Sequence, residues 1–200
     1  MKIGVSCYSF YKHMEQTGAN YFEVCDLAKK YGYDGIEFID LDLKFQHAES
    51  VSELARSIKK HCDEIGLEIT AYTVRGDFLA NPDELERLKG QVDVAELLGA
   101  KLLRHDITWQ NPKDKTWKDI IDSVKDKVYE LSSYAEKKGI RTCTENHGLH
   151  LQDAERIEYL IKTVNHKNYG WLVDMGNFLC ADDPAVHAIP IAAPYAFHVH

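Results

Sequence analysis

Lys138-Gly139-Ile140-Arg141-Thr142-Cys143-Thr144-Glu145-Asn146-His147-Gly148 opens on a helix stop, runs through a short β-rich segment and leaves it through polar residues. Glycine supplies the left-handed conformation that ends a helix, and period-2 alternation puts Cys143, Glu145 and His147 on one face of the strand that follows. The same punctuation recurs. Gly32 precedes a run from Asp34 to Ile39, and Leu98-Gly99 precedes one from Lys101 to Asp106. With Lys2 to Tyr8, Leu67 to Val74, Ile140 to Asn146, Gly170 to Asp174 and Tyr195 to His200, seven strands are predicted.

Helical signals fill the gaps. A segment beginning near Asn20 carries Tyr21, Val24, Leu27 and Ala28 on one face. Ser50-Val51-Ser52-Glu53 has the spacing of a capping box, and in Asn81-Pro82-Asp83-Glu84 the Asn can cap, the Pro suits a first turn and the acids favour the helix dipole. A long helix is expected after Pro112, and others after Gln152 and Asp183. Strand, helix, strand at about 30-residue spacing means parallel strands joined by right-handed crossovers, an α/β class. The turn after the first strand, Cys7-Tyr8-Ser9-Phe10-Tyr11, carries no glycine-rich phosphate motif, so a (β/α)8 TIM-type barrel is favoured over a doubly wound sheet. Such barrels have eight strands in typically ~250 residues. Seven are visible here and the last runs into His200, so the expectation is a single domain over 1–200, truncated before strand eight with its C-terminal βα unit missing.

Composition narrows the function. The 200 residues are 44% hydrophobic and 28% charged, which excludes disorder, collagen and coiled coil. A chain of this length buries roughly 70% of its unfolded surface and needs neither disulfides nor a structural metal, so a metal here would be functional. Lys and Arg number 24 against 32 Asp and Glu, and the net charge of -8 argues against nucleic acid. Five scattered cysteines without a CxxC point to a reducing cytoplasm. The N-terminus resembles no export signal, and no apolar run approaches the ~18 residues of a membrane span.

In a parallel barrel the chemistry sits where strands end at their carboxyl side. Glu145 leaves strand five, Asp174 leaves strand six within Leu172-Val173-Asp174-Met175-Gly176-Asn177, and strand seven supplies His198 and His200 on one face. The steps from 145 to 174 and from 174 to 200 are 29 and 26 residues, each close to one βα repeat, which allows equivalent levels on consecutive strands. Two carboxylates and an imidazole form a hard site suited to Mn²⁺ or Mg²⁺, with Zn²⁺, Co²⁺ or Fe²⁺ as alternatives. Taken singly, each residue has a plainer explanation: a core histidine, an Asp capping the next helix, and a Glu145 paired with Arg104 or Arg141.

The ordered set Thr144-Glu145-Asn146-His147-Gly148, Leu172 to Asn177 and Ala193-Pro194-Tyr195-Ala196-Phe197-His198-Val199-His200 resembles the xylose-isomerase-like TIM-barrel superfamily of sugar phosphate isomerases and epimerases. Gly32-Tyr33-Asp34-Gly35-Ile36-Glu37 is similar to that family's opening half. The resemblance implies a divalent metal held by Glu145, Asp174 and His200, the second His of an HxH; the family's fourth ligand, a Glu on strand eight, has no counterpart before the chain ends. Ketose 3-epimerases of the family carry a His where Asn177 stands and a Glu where Leu151 stands, which argues against a keto-hexose 3-epimerase. His147, Asn177 and His198 are candidates to bind substrate hydroxyls, and Trp109 and Phe10 to wall the pocket. Trp109 and Phe10 are kept from a wider set with Tyr8, Trp117 and Phe178, whose aromatic rings more often pack helices. Glu37, His105 and Asp106 also stand at strand ends, and Arg75 or Arg104 could meet a phosphate.

The expected activity is isomerisation or epimerisation of a small sugar, sugar phosphate or related polyhydroxy carbonyl compound, with proton transfer through an enediolate and Glu145 as base. The alternatives are dehydration of a keto-inositol at the same metal site and a non-catalytic sugar-binding barrel; abasic-site endonuclease action is disfavoured by the charge. A homo-oligomer would cover an open barrel edge.

Overall fold

The computed structural model describes residues 2–44, 46–148 and 150–200. Strands and helices alternate: β1 (Gly4–Ser6), α1 (Tyr11–Thr17), α2 (Tyr21–Lys30), β2 (Gly35–Ile39), α3 (Val51–Ile65), β3 (Glu68–Val74), α4 (Glu84–Leu98), β4 (Leu102–His105), α5 (Trp117–Lys137), β5 (Arg141–Glu145), α6 (Ala154–Val164), β6 (Tyr169–Val173), α7 (Ala185–Ala192) and β7 (Ala196–Val199). All seven expected strands are present, each within the predicted run or one residue outside it. No eighth strand occurs among the described residues. The chain divides into two compact units, residues 1–74 with 91–103, and 75–90 with 104–200; the division falls inside α4 and β4.

In the first unit β1 pairs with β2 and β2 with β3, all parallel, in register Val5 with Ile36 and Gly35 with Glu68. The first four residues of β2 are buried, as expected of a parallel strand covered on both faces. Asn20 caps α2 through a reciprocal bond with Glu23, and the helix turns Tyr21, Val24, Cys25 and Ala28 inward. Ser50 caps α3 by accepting from Glu53 N–H, but the Glu53 carboxylate reaches past it to the Glu49 N–H at 2.9 Å, so the box is one residue out of reciprocity. Two surface cavities of about 170 and 410 Å³ lie in this unit, the first lined by Tyr11, Met14 and Asp42, the second by His13, Glu23 and Asp26; no candidate site residue lines either. The short α1 was not expected: it buries only Met14 and so has no apolar period to announce it.

In the second unit β5 pairs with β6 and β6 with β7, again parallel. Every residue of β6 is buried. Thr116 and Asp119 form a full capping box at the start of α5, which buries Ile120, Ile121, Val124, Val128, Leu131 and Ala135 along one stripe. Each fully buried aliphatic side chain contributes roughly 1.5–3 kcal/mol. Gly139, at φ 68°, reverses the chain after α5 so that β5 begins two residues later. The helix expected to open on Asn81 starts at Glu84, because the Asn81 carboxamide accepts from Asp83 N–H in a local turn. Glu84 itself is drawn inward to meet Arg87 at 2.7 Å. Phe178 is buried against Trp171, and Trp117 packs edge-on against Tyr159, so both serve as packing residues.

Candidate functional site

The pairing of β6 with β7 sets the level of the site. Leu172 pairs with His198 and Val173 with Val199, and beyond the strands His200 N–H donates to the Val173 carbonyl at 2.8 Å while Met175 N–H donates to the His200 carbonyl at 3.1 Å. Asp174 and His200 therefore stand side by side. Glu145 pairs with Leu172, not with Asp174, which corrects the expectation of equal levels: the carboxylates of β5 and β6 are offset by two positions because the strands are staggered. Leu172 and Asp174 face the same way, so side-chain reach closes the gap. Ligand atoms of Glu145, Asp174 and His200 all lie within 4.8 Å of one another. The His198 and His200 rings share a face, as expected, with centroids 5.3 Å apart.

Each carboxylate is oriented by named donors. Asp174 Oδ1 accepts from the N–H groups of Gly176 at 2.8 Å and Asn177 at 2.9 Å, which turns Oδ2 away from them. Glu145 Oε1 accepts from Asn177 Nδ2 at 2.9 Å, and Oε2 from Arg104 Nη2 at 2.8 Å. The plain pairing of Glu145 with Arg104 is thus realised, and it coexists with the cluster. Arg104 Nη2 also meets Asp106 Oδ1 at 2.8 Å and His147 Nδ1 at 3.1 Å. Arg104 is committed to carboxylates, which leaves the phosphate role suggested by the sequence without support.

Electrostatics follow from burial and these partners. Burial pushes the Glu145 carboxyl above its ordinary range against the opposing pull of Arg104, His147 and His200. Burial also opposes ionisation of Asp106, but the His147 bond and the Arg104 charge outweigh it and hold that carboxyl low. Asp106 in turn raises the proton affinity of His147. The 3.1 Å contact needs a bare Nδ1 accepting from Arg104, whereas Asp106 Oδ1 is 3.7 Å from that nitrogen, so ring protonation and the Arg104 contact compete.

Trp109 is 49% exposed, donates its indole N–H to Asp106 Oδ2 at 3.2 Å and stands edge-on to His147 with centroids 5.0 Å apart. The structure thus brings Glu145, His147, Asp174, Asn177, His198, His200 and Trp109 into the second unit. Phe10 belongs to the first, where it ends a 3₁₀ turn, Cys7–Phe10. One positioning residue was missed. Asn146 is fully buried: its Oδ1 accepts from Asp174 N–H at 2.9 Å and Trp171 Nε1–H at 3.1 Å, and its Nδ2 donates to the Asp174 carbonyl at 2.8 Å. A carboxamide beside Glu145 at a strand exit was its only sequence signal.

No curated protein matches the chain. Among solved structures it is similar to the probable 3-DHS dehydratase AsbF of Bacillus anthracis, at TM-score 0.81 and 18% identity over 100% of this chain and 72% of that one. It is also similar to D-psicose 3-epimerase of Clostridium cellulolyticum H10, solved with D-tagatose, at TM-score 0.80 and 21% identity over 100% of this chain and 72% of that one. The 3-keto-D-glucoside 4-epimerase YcjR of E. coli gives 0.78 and 18%, over 100% and 78%. At these identities the likeness is one of fold, and the reactions differ among the three. The family described as xylose isomerase-like TIM barrel matches residues 25–200, and the chain belongs to that family and has its TIM-barrel fold.

Proposed function

We propose that the protein is a divalent-metal-dependent isomerase or epimerase of a small sugar or related polyhydroxy carbonyl compound, acting in the cytoplasm as a single domain. The convergence of Glu145, Asp174 and His200 ligand atoms within 4.8 Å carries this reading. Two carboxylates and one imidazole fit a hard divalent ion, with Mn²⁺ first and Mg²⁺, Co²⁺, Zn²⁺ or Fe²⁺ as alternatives. The ion, when bound, supplies Lewis-acid polarisation of a carbonyl and so acidifies the neighbouring C–H.

The chain's own residues do the rest. Asp174, pinned through Oδ1, offers Oδ2. Glu145, whose burial raises the proton affinity of its carboxylate, takes the α-proton and returns it. His147, Asn177 and His198 bond hydroxyls, and Trp109 lends an apolar wall. The family match runs from 25 to 200 across both units, which supports one domain. No helix among the described residues is long and apolar enough to cross a membrane.

The test is bound Mn²⁺ per chain after dialysis, for the wild type, Glu145→Gln and Asp174→Asn, followed by turnover of candidate sugars in deuterated water. We expect near-stoichiometric Mn²⁺ in the wild type, its loss in both variants, and deuterium at the α-carbon of any sugar turned over. Activity without exchange would overturn the enediolate route, and an absorbing enone product would move the assignment to dehydration.

A further inference from the structure

Arg104 interrupts the apolar strand β4 after Leu102 and Leu103 and is 4% exposed. A buried guanidinium is stable only beside negative charge, and here one nitrogen serves two carboxylates: Nη2 lies 2.8 Å from Asp106 Oδ1 and 2.8 Å from Glu145 Oε2. With Asn177 on the other oxygen at 2.9 Å, the Glu145 carboxylate is held from both sides. Asp106 is not among the residues whose ligand atoms converge with those of Asp174 and His200. It acts on that cluster through Arg104.

We propose that Arg104 is a positioning residue which, shared between Asp106 and Glu145, fixes the Glu145 carboxylate beside Asp174 and His200 and weakens the hold of that cluster on a divalent cation. The inference rests on the metal-site reading above. A fixed positive charge one hydrogen bond from a ligand oxygen repels a second cation and occupies one of the oxygen's lone-pair directions. Asp106 tempers this by drawing the guanidinium toward itself. The two ends of the Arg104–Asp106 pair therefore act with opposite sign. Removing Arg104 leaves the cluster more negative and both Glu145 lone pairs at Oε2 open; neutralising Asp106 leaves the whole guanidinium charge on Glu145. A salt bridge that only stabilises the fold would give the same sign from either end, because both losses would loosen the site.

The experiment is calorimetric titration of Mn²⁺ into the whole chain at fixed pH and ionic strength, for the wild type, Arg104→Met, Arg104→Lys and Asp106→Asn, with circular dichroism to check folding. The expected Kd is about tenfold tighter in Arg104→Met and about tenfold weaker in Asp106→Asn, with Arg104→Lys within about threefold of wild type because its charge is kept. Weakening in both Arg104→Met and Asp106→Asn, or no change in either, would overturn the role. Should Arg104→Met not fold, Asp106→Asn decides: an affinity equal to or tighter than wild type refutes the proposal. A wild type that takes up no Mn²⁺ refutes the metal-site reading itself, a result distinct from wild-type binding with indifferent variants.

Discussion

Asn146 and Asp174 are joined twice: the Asn146 carboxamide accepts from the Asp174 N–H at 2.9 Å and donates to the Asp174 carbonyl at 2.8 Å. A side chain that reads both backbone groups of one residue fixes that residue's plane, and hence the direction in which its carboxylate leaves the strand. The same Oδ1 receives the Trp171 indole N–H. Asn146→Ala would leave two donors and a carbonyl without these partners in a dry interior, a loss of about 2–4 kcal/mol. Denaturant unfolding should show that loss, and Mn²⁺ affinity should fall at least tenfold in molecules that remain folded. Unchanged affinity would separate Asn146 from the orientation of Asp174.

Gly76 lies under the exit of β4, and a Cβ built there would stand 2.4 Å from the Asp106 carbonyl oxygen. That contact is backbone, which cannot swing aside as a side-chain end can. Gly76→Ala should therefore cost about 1–3 kcal/mol, the range for overpacking a tight site, and displace Asp106 together with its partner Arg104. The displacement is read as a change in Mn²⁺ affinity, which a remote substitution such as Gly90→Ala, with no atom within 4 Å of its added Cβ, should leave at the wild-type value.

Asp77 staples the loop that carries Trp109. Its Oδ1 accepts from Thr108 Oγ1 at 2.7 Å and from Ala80 N–H at 3.0 Å, and its Oδ2 from Gln110 Nε2 at 3.2 Å. Burial opposes the charge, yet these donors hold the Asp77 carboxyl below its ordinary value. A depressed carboxylate contributes stability that is present above its unfolded-state pKa and is lost as pH falls through the folded value. Asp77→Ala should thus speed amide hydrogen exchange at Thr108 and Trp109 at neutral pH by roughly tenfold or more. In the wild type the same loss of protection, taken relative to the intrinsic exchange rate at each pH, should emerge only in acid. Exchange indifferent to the substitution would show that the loop is held elsewhere.

Much of this was legible in the sequence for a physical reason. A helix stop, a β-rich run and polar residues at the exit follow from backbone preferences that act over a few residues, so Gly139 to His147 could be parsed unaided. Spacing located Asp174 and His200 one repeat apart, but it could not give the stagger that sets Asp174 level with His200 and two positions beyond the partner of Glu145. Arg104 was visible as a partner for Glu145. Its pairing with Asp106, two residues on at the exit of the same strand, follows period-2 alternation, whereas the meeting of that pair with Glu145 depends on where two strand exits lie, and nothing local encodes that. Asn146 was passed over because a carboxamide in a strand exit has many ordinary uses, and only the position of the Asp174 backbone shows which one applies.

His105 stands beside Arg104 in β4, fully buried between Phe78 and Tyr169, with Nδ1–H donating to the Asp106 carbonyl at 3.0 Å. Among the described residues its Nε2 has no hydrogen-bond partner, so the ring is neutral with its proton on Nδ1. Burial lowers its pKa to about 4, only partly offset by the bond to Asp106. The unfolded chain binds this proton near pH 6.5 while the folded chain refuses it until about 4, so folding stability falls as pH drops through that window. The full loss is about 3 kcal/mol by pH 4. His105→Asn keeps a short donor for the Asp106 carbonyl and cannot titrate. The variant should be less stable than wild type at pH 7, because it underfills the space between Phe78 and Tyr169, and the difference should shrink by about 3 kcal/mol between pH 7 and pH 4. Urea unfolding at pH 7, 5.5 and 4.5 checks this, and a constant difference across the three would mean that His105 titrates in the fold as it does in the unfolded chain.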